Sequence, residues 1–500
     1  MRILLVPPTH HYKKPNPECL SFSDFPSGFG YLSAVLKALG HEVIGLNPNN
    51  VIGYPSTKLM LADLLTKKLK ETEPELVCFG GLCTDYSFLA DAIRITRSVS
   101  KAPIVLGGQI VTNDAEFICS DLKPDIAIVG EAEEGIAWVA TEISKGKMAN
   151  KIVESAYVKN PDFIPFPDYE PFGIKDMLDN HSMDTRLLYR YSRPNPRPFN
   201  IVASRSCPFT CSFCIHGRRD APYRARSIPN IMDEIKVMYE KYEFNVLILL
   251  DELFAVNKER MNEFSQAVIE GKDKYKWDFD WMFQTHANAR FDNESLKLAK
   301  QAGCFFFSYG LESASPTVLK SMNKHLEVPQ VIEAIKIAQD NKIGFGANLI
   351  FGDIAETQET WAESLAFWLK HAQDNFIFMS NLMPYPGSKL FNDCQTKGMF
   401  QDKHNFYEHI DEKVPNMTSI PDRIFNELLR ITTYLETQWL FVKQALNVRG
   451  ENSNIWATCP YCGEESLYRD RLDVTKPFRL GIGCTKCNRR INVGTDSGSI

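Results

Sequence analysis

Apolar residues fall into two alternating patterns along this chain, short unbroken runs and stretches with apolar positions every three or four residues. In residues 1–150 the runs are Arg2–Val6, Glu42–Leu46, Leu76–Gly80, Pro103–Leu106 and Asp125–Val129, each ending near Gly or Pro as buried strands do. Between them, Gly30–Leu39, Lys58–Leu69, Tyr86–Ser98 and Glu133–Ile143 have helical spacing. Strands separated by helices predict an α/β fold with a parallel, doubly wound sheet and a ligand crevice beyond the strands' carboxyl ends. The residues at those ends are Pro7-Pro8-Thr9, Gly80-Gly81-Leu82-Cys83-Thr84, Gly107-Gly108-Gln109 and Gly130-Glu131-Ala132-Glu133. Glycines there let the backbone approach a bulky ligand. The pattern alone specifies a flavodoxin-like (Rossmann-type) domain, which any nucleotide, or no ligand, could occupy.

Residues 151–197 break the alternation. Pro161, Pro165, Pro167, Pro171, Pro194 and Pro196 interrupt regular structure, and the aromatic residues among them predict a strap packed on a neighbouring domain. From 198 to 400 the alternation resumes with strands Phe199–Ala203, Val246–Leu250, Phe279–Phe283, Phe305–Tyr309, Gly344–Phe351 and Phe376–Ser380. Helices at Ile228–Tyr242, Glu259–Ile269, Glu294–Lys300, Val328–Gln339 and Glu359–His371 separate them. Six such units suit a partial (β/α)6, TIM-like barrel with its chemistry at the C-terminal mouth. Residues 401–450 predict two C-terminal helices, notably Arg423–Gln444, whose Tyr434, Trp439 and Phe441 pack against the barrel or face a substrate. Residues 451–500 predict a small ribbon domain.

Composition narrows the classes. Lys and Arg number 56 against 62 acidic residues, a net charge of −6, so no global basic field marks a nucleic-acid binder. No run of about 18 apolar residues exists, which leaves no candidate membrane span. The opening Met1–Pro8 reads as a first strand and not a signal peptide. Of 13 cysteines, seven fall into two metal-like clusters, which predicts a reducing, cytoplasmic setting.

The first cluster is Cys207-Pro208-Phe209-Thr210-Cys211-Ser212-Phe213-Cys214, directly after the first barrel strand. Three thiolates on one loop can hold three irons of a 4Fe–4S cluster, leaving the fourth open to an exchangeable ligand. A zinc site completed by His216 is the alternative. The second cluster pairs Cys459-Pro460-Tyr461-Cys462 with Cys484-Thr485-Lys486-Cys487. Two C-x2-C knuckles predict a four-thiolate zinc site, with rubredoxin-type iron as the other occupant. A ribbon of this size has too little core to fold without its metal. Arg469, Arg471, Arg479, Lys486, Arg489 and Arg490 make it locally basic, which suits either an anionic partner or a solvated face.

The cysteine loop, with Phe213 before its third cysteine, resembles the signature of the radical S-adenosylmethionine (SAM) enzymes. In that superfamily the open iron binds the amino and carboxylate groups of SAM and cleaves it reductively to a 5′-deoxyadenosyl radical. The Pro-Pro loop, Gly28-Phe29-Gly30-Tyr31-Leu32, the Gly107-Gly108 pair and Gly130-Glu131-x-Glu133 resemble the cobalamin-binding domain fused to many of these enzymes. The chain is thus similar to cobalamin (B12)-dependent radical SAM enzymes, with a zinc-ribbon-like extension. The resemblance implies that Pro8, Leu82, Thr84, Tyr86, Gly107, Gly108, Gln109, Gly130, Glu131 and Glu133 contact cobalamin. It implies that Phe213, Gln284, Glu312 and Ser313 contact SAM. The strand-end segments Asp251–Phe254, Gly310–Ser313, Gly352–Glu356 and Leu382–Ser388 also match the family pattern. One departure stands out, the absence of an Asp-x-His-x-x-Gly motif. Either the cobalt's lower face lacks a protein histidine or the domain has lost cobalamin; His10 and His11 read as a solvated loop.

These implications favour C-methylation of an unactivated carbon in a small-molecule, peptide or carrier-bound substrate, with a flavodoxin or ferredoxin as external electron donor. Radical chemistry of this kind needs no strong general base, and no acid/base pair stands out as catalytic. Cyclisation or rearrangement with the same cofactors is the second reading. A metal-stabilised, non-catalytic cobalamin-sensing or nucleic-acid-binding protein is the third.

Overall fold

All five strands expected in the first 150 residues form, and a sixth joins them. They are β1 (Arg2–Val6), β2 (Glu42–Gly45), β3 (Leu76–Gly80), β4 (Ile104–Gly107), β5 (Ile126–Val129) and β6 (Ile152–Glu154). All pairings are parallel, in the order β2-β1-β3-β4-β5-β6. The computed structural model describes residues 1–9, 12–13, 25–49, 51, 53–147, 151–180, 196–215, 221–410, 412–437, 441–451, 454–468 and 481–494. His10, His11, Pro194, His216, Trp439, Arg469, Arg471 and Arg479 lie outside them.

The four expected helices form at Ser27–Ala38, Thr57–Thr72, Tyr86–Val99 and Ala132–Ser144. Helix Gln109–Asp121 is an addition. Its sequence is rich in Val, Thr, Asn and Asp, which are weak helix formers, and the helix kinks at Asp114. Tertiary packing supplies what propensity lacks: Ile110, Val111 and Ile118 are buried. The proline-rich segment does pack as a strap. Tyr169, Phe172 and Ile174 are buried, and the Tyr169 ring meets Phe25 and Phe199 edge-on at 6.1 and 5.7 Å.

The second sheet begins with β7 (Pro198–Ile201), followed by a two-stranded hairpin of β8 (Ser204–Arg205) and β9 (Arg224–Ala225). The sheet continues through β10 (Val246–Leu249), β11 (Asp280–Thr285), β12 (Cys304–Glu312), β13 (Gly344–Phe351) and β14 (Phe376–Asn381). Its order β14-β13-β12-β11-β10-β7 is sequential and wholly parallel, which makes it an open (β/α)6 barrel. An open barrel leaves β14 as an edge, and edges need cover. Helix Asp422–Thr437 supplies it, its Glu436 carboxylate accepting the Met379 amide at 3.0 Å. Among the described residues this helix runs to Thr437, and by Phe441, before the expected end at Gln444, the chain is no longer α-helical. Tyr434, expected in the core, is 62% exposed, whereas Phe441 packs against Trp368.

Helix Lys403–Glu408 reaches back to the first domain. Lys403 pairs with Asp114 at 2.9 Å, and Tyr407 donates to the same carboxylate at 3.2 Å. His404 meets Asp121 at 3.1 Å, beside the Tyr86 hydroxyl that donates to Asp121.

The tail forms β15 (Leu446–Glu451), β16 (Asn454–Thr458) and β17 (Glu465–Tyr468) as one antiparallel sheet, with β18 (Gly481–Gly483) and β19 (Arg490–Asn492) as a hairpin. The ribbon docks beneath the barrel, at the amino-terminal ends of β13 and β14. Asn488 donates to the Lys342 carbonyl at 2.9 Å, and the Arg490 amide to the Asp374 carbonyl at 2.9 Å.

Candidate active site

The carboxyl ends of β1, β3, β4 and β5 open onto a cavity of about 490 Å³. Pro7, Pro8, Gly80, Gly81, Leu82, Gly107, Gly108, Gln109, Thr112, Gly130, Glu131 and Glu133 line it from the first domain. Arg205, Ser206, Ala221 and Glu252 line it from the barrel, so the cavity lies between the two sheets. Glycine backbone forms part of its floor. Gly108 has φ +88°, and a Cβ there would fall 2.6 Å from the Gly81 nitrogen and oxygen. Gly130 is also left-handed, and its amide donates to Thr112 Oγ1 at 3.0 Å. Such a side-chain-free cradle fits a broad, flat ligand.

Eight of the ten residues that the resemblance assigns to cobalamin line this cavity; Thr84 and Tyr86 do not. Tyr86 is buried in the seam with helix Lys403–Glu408, 5.4 Å from the Tyr407 ring. The two glutamates meet barrel arginines. Glu133 pairs with Arg205 at 2.8 Å, and Glu131 receives both Arg224 Nη atoms, one of them at 3.1 Å. The hairpin that leads into and out of the cysteine loop is thereby tied to the cavity wall. Sequence reasoning did not find Arg205, Arg224, Thr112, Phe25 or Tyr157, because each acts through a contact distant in the chain. No histidine lines the cavity among the described residues. Leu82 stands at its edge, 43% exposed.

Beside the cavity, the cysteine loop begins at Ser206, held at φ +64°. Long-range bonds fix the loop from two sides. The Ser212 amide donates to the Met322 carbonyl at 2.9 Å, and Asn323 donates to Thr210 Oγ1 at 2.8 Å. The Leu390 amide donates to the Ser212 carbonyl at 2.8 Å. Phe213 anchors the loop against Val318, Met322, Leu382 and Leu390. Phe209 stacks on His286, with ring centroids 4.0 Å apart. Burial holds that imidazole neutral, its pKa lowered to about 4. His286 Nδ1 accepts the Asn288 amide at 3.2 Å, so Nε2 carries the proton and donates to the Lys324 carbonyl at 3.1 Å.

Cys211 is buried and Cys207 and Cys214 half-buried. Burial raises the Cys211 thiol's pKa, while Lys324 opposes that rise. Thiolates that share one zinc at about 2.3 Å lie about 3.8 Å apart. The tail cysteines meet that condition: Cys459 to Cys487 and Cys462 to Cys484 are each 3.7 Å, and all four sulfurs lie within 4.8 Å. No other trio of His, Cys, Asp or Glu among the described residues is so gathered. The loop thiols are not gathered in that way, so among the described residues the four-thiolate site belongs to the tail alone.

Glu312, left-handed at φ +67°, pairs with Lys324 at 3.0 Å, and both side chains are nearly buried. Burial would lower the lysine's pKa, but Glu312 and the Cys211 and Cys214 thiols raise it. A Cβ on Gly310 would fall 2.5 Å from Glu312 Oε1, so glycine makes room for the pair. Opposite charges beside the cysteines complement a zwitterionic amino-acid group. Gln284 is exposed at the end of β11. Ser313 is turned to the helix layer, where its hydroxyl meets Ser364 at 3.1 Å. Asp251 is buried and bonded to Ser204 at 2.5 Å, whereas its neighbour Glu252 reaches the cavity. Burial raises the Asp251 pKa to about 6.

Residues 201–367 match the Radical SAM superfamily, and residues 20–140 match the B12 binding domain. The chain is a B12-binding radical SAM protein. Its radical SAM domain contains the cysteine loop, and its B12-binding domain contains the glycine cradle. An uncharacterized methyltransferase of Pyrococcus horikoshii is 26% identical over 402 residues, 78% of this chain and 82% of the relative. The anaerobic magnesium-protoporphyrin IX monomethyl ester cyclase of Rubrivivax gelatinosus is 26% identical over 426 residues, 81% of this chain and 72% of the relative. Among solved structures, the radical SAM methyltransferase TsrM of Kitasatospora setae, with cobalamin and a 4Fe–4S cluster bound, shares the fold. Its TM-score is 0.61 at 18% identity, covering 79% of this chain and 75% of that one. Neither domain match extends into the ribbon.

Proposed function

We propose that this protein is a cobalamin-dependent radical SAM C-methyltransferase that acts on an unactivated carbon. The observation that carries the reading is the position of one cavity. It opens from the B12-binding sheet onto Arg205 and Ser206, directly before Cys207, so both cofactors would face one space. When bound, the cluster supplies the electron for reductive SAM cleavage, and cobalamin supplies the methyl group. Cys207, Cys211 and Cys214 would hold the cluster, and the Gly80-Gly81, Gly107-Gly108 and Gly130 backbone would carry the corrin.

The chain's own residues position and seal this space. Glu312 and Lys324 offer opposite charges to the amino-acid end of SAM. The Glu131–Arg224 and Glu133–Arg205 pairs hold the hairpin around the cysteine loop against the cavity. Phe25, Phe29 and Leu32 line the cavity with apolar surface that excludes water. A cytoplasmic location is part of the proposal, supported by the free thiol state of every described cysteine. Among the described residues, no helix is long and apolar enough to cross a membrane.

Anaerobic protein reconstituted with iron and sulfide and reduced with dithionite should convert SAM to 5′-deoxyadenosine, and with cobalamin and a methyl acceptor also to S-adenosylhomocysteine. Changing Cys207, Cys211 and Cys214 together to Ala should abolish both products; SAM cleavage by that variant would refute the assignment. The Rubrivivax relative supports a second reading, ring formation with the same cofactors. It predicts substrate turnover with 5′-deoxyadenosine and no S-adenosylhomocysteine.

A further inference from the structure

An open groove of about 750 Å³ lies behind the mount of the cysteine loop, between the turn after β11 and the segment Pro316–Gln330. Asn323 belongs to both, lining the groove and donating to Thr210 in the loop. Lys324 also lines the groove, and its carbonyl holds His286, which stacks on Phe209. Two hydrogen bonds and one ring stack thus link this surface to Thr210 and Phe209, the neighbours of the cluster cysteines in the loop.

The groove's charge differs from that of the chain. Arg290, Lys320 and His325 are exposed on it and make no ion pair among the described residues. Glu327 is the single acidic residue of the lining, in a chain whose net charge is −6. The rim is also shaped by fixed backbone: Arg290, Asn323 and His325 are left-handed, at φ +48°, +53° and +49°. Asn288 ties the two sides together, donating to the His325 carbonyl at 3.1 Å. A rigid, cationic concavity of this kind steers and orients a partner with an acidic face.

We propose that this groove is the docking site of the electron donor, a small one-electron carrier protein with an acidic face. The inference rests on the SAM-cleaving function proposed above. Each cleavage consumes one electron. It leaves the carrier, which is oxidised by one unit, and reduces the cluster. From there it enters the breaking carbon–sulfur bond of SAM, giving methionine and the 5′-deoxyadenosyl radical. The stacked Phe209–His286 pair and the Asn323–Thr210 bond place the groove's wall against the loop that holds the cluster.

The test uses the full-length, reconstituted protein with both rim cations reversed, Arg290→Glu and Lys320→Glu. SAM cleavage is driven either by reduced flavodoxin or by dithionite, which needs no protein docking site. With flavodoxin at low ionic strength, the double variant should be at least tenfold slower than wild type, and added salt should slow only the wild type. With dithionite the two should be equal, which also shows that the variant is folded and carries its cluster. A wild-type rate with flavodoxin would overturn the docking site. An equal loss with dithionite would do so too, because the residues would then act on the cluster or substrate. Failure of wild type to cleave SAM with dithionite would instead remove the functional reading, and this proposal with it.

Discussion

At the scale of residues, the B12 cavity is defined as much by missing side chains as by present ones. Gly108 abuts Gly81, and Leu82, an apolar side chain 43% exposed, stands at the cavity's edge. No histidine stands among the described residues of the lining, and the chain has no Asp-x-His-x-x-Gly motif. Bound cobalamin should therefore be base-off and lack nitrogen coordination from a protein histidine, which also favours reduction toward Co(I). Paramagnetic resonance of the Co(II) form checks this, and a nitrogen superhyperfine triplet from a lower ligand would count against it. The cysteines and the glycines were legible in the sequence, because thiolate spacing and strand-end glycines have few other uses. The charged partners were not. Lys324 follows Glu312 by twelve positions but Arg224 follows Glu131 by 93, and nothing local marks such pairs. Tyr86 looked like a cavity residue from its place after β3. Its hydroxyl instead serves Asp121 in the domain seam.

At the scale of elements, the strands of both sheets were legible to within a few residues, since each is a buried apolar run between Gly, Pro or polar breaks. Helix Gln109–Asp121 was not, because it is made by packing against propensity. The end of helix Asp422–Thr437 was also less legible, since the apolar spacing runs on toward Gln444 whereas by Phe441 the chain has left the α-helix and packs on Trp368. That helix makes a pH-dependent contact. Burial raises the Glu436 pKa from 4.5 to about 7, with Arg490 pulling the other way. The folded state thus holds a proton that the unfolded state has released between pH 4.5 and about 7. Stability from this group is complete below 4.5 and is lost as pH rises through about 7, by at most about 1.4 kcal/mol per pH unit. Glu436→Gln keeps an acceptor for the Met379 amide but carries no charge. The variant should match wild type in thermal stability near the acid end of this window and exceed it above the alkaline end. Parallel curves at all pH values would show that Glu436 titrates normally in the fold.

At the scale of the whole molecule, the chain places its two metal-type cysteine sets on opposite ends of one barrel. The cysteine loop follows the carboxyl end of β7, whereas Asn488, Arg489 and Arg490 meet Lys342, Gln339 and Asp374 before β13 and β14 begin. The strand length of β13 separates these faces by about 25 Å. That arrangement was not legible in the sequence, which showed a basic ribbon but not where it docks. Docking also changes the meaning of the charge. Arg489 lies toward Asp374, Arg490 covers the rings of Phe376 and Phe378 at 5.4 and 5.7 Å, and Lys486 pairs with Glu464. Lys486, Arg489 and Arg490 thus bind the ribbon to the barrel and to itself, whereas Arg469, Arg471 and Arg479 lie outside the described residues. The ribbon acts as a basal brace, and a metal held by its four cysteines would supply folding free energy that its small core lacks. Replacing Cys459 and Cys462 with Ser should release about one metal ion and raise amide exchange through the ribbon and the first residues of β13 and β14. SAM cleavage without substrate should persist, because the cysteine loop is held by Met322, Asn323 and Leu390 and, among the described residues, by nothing in the ribbon. Loss of SAM cleavage with the cluster intact would mean that the brace controls the mouth of the barrel from its opposite end.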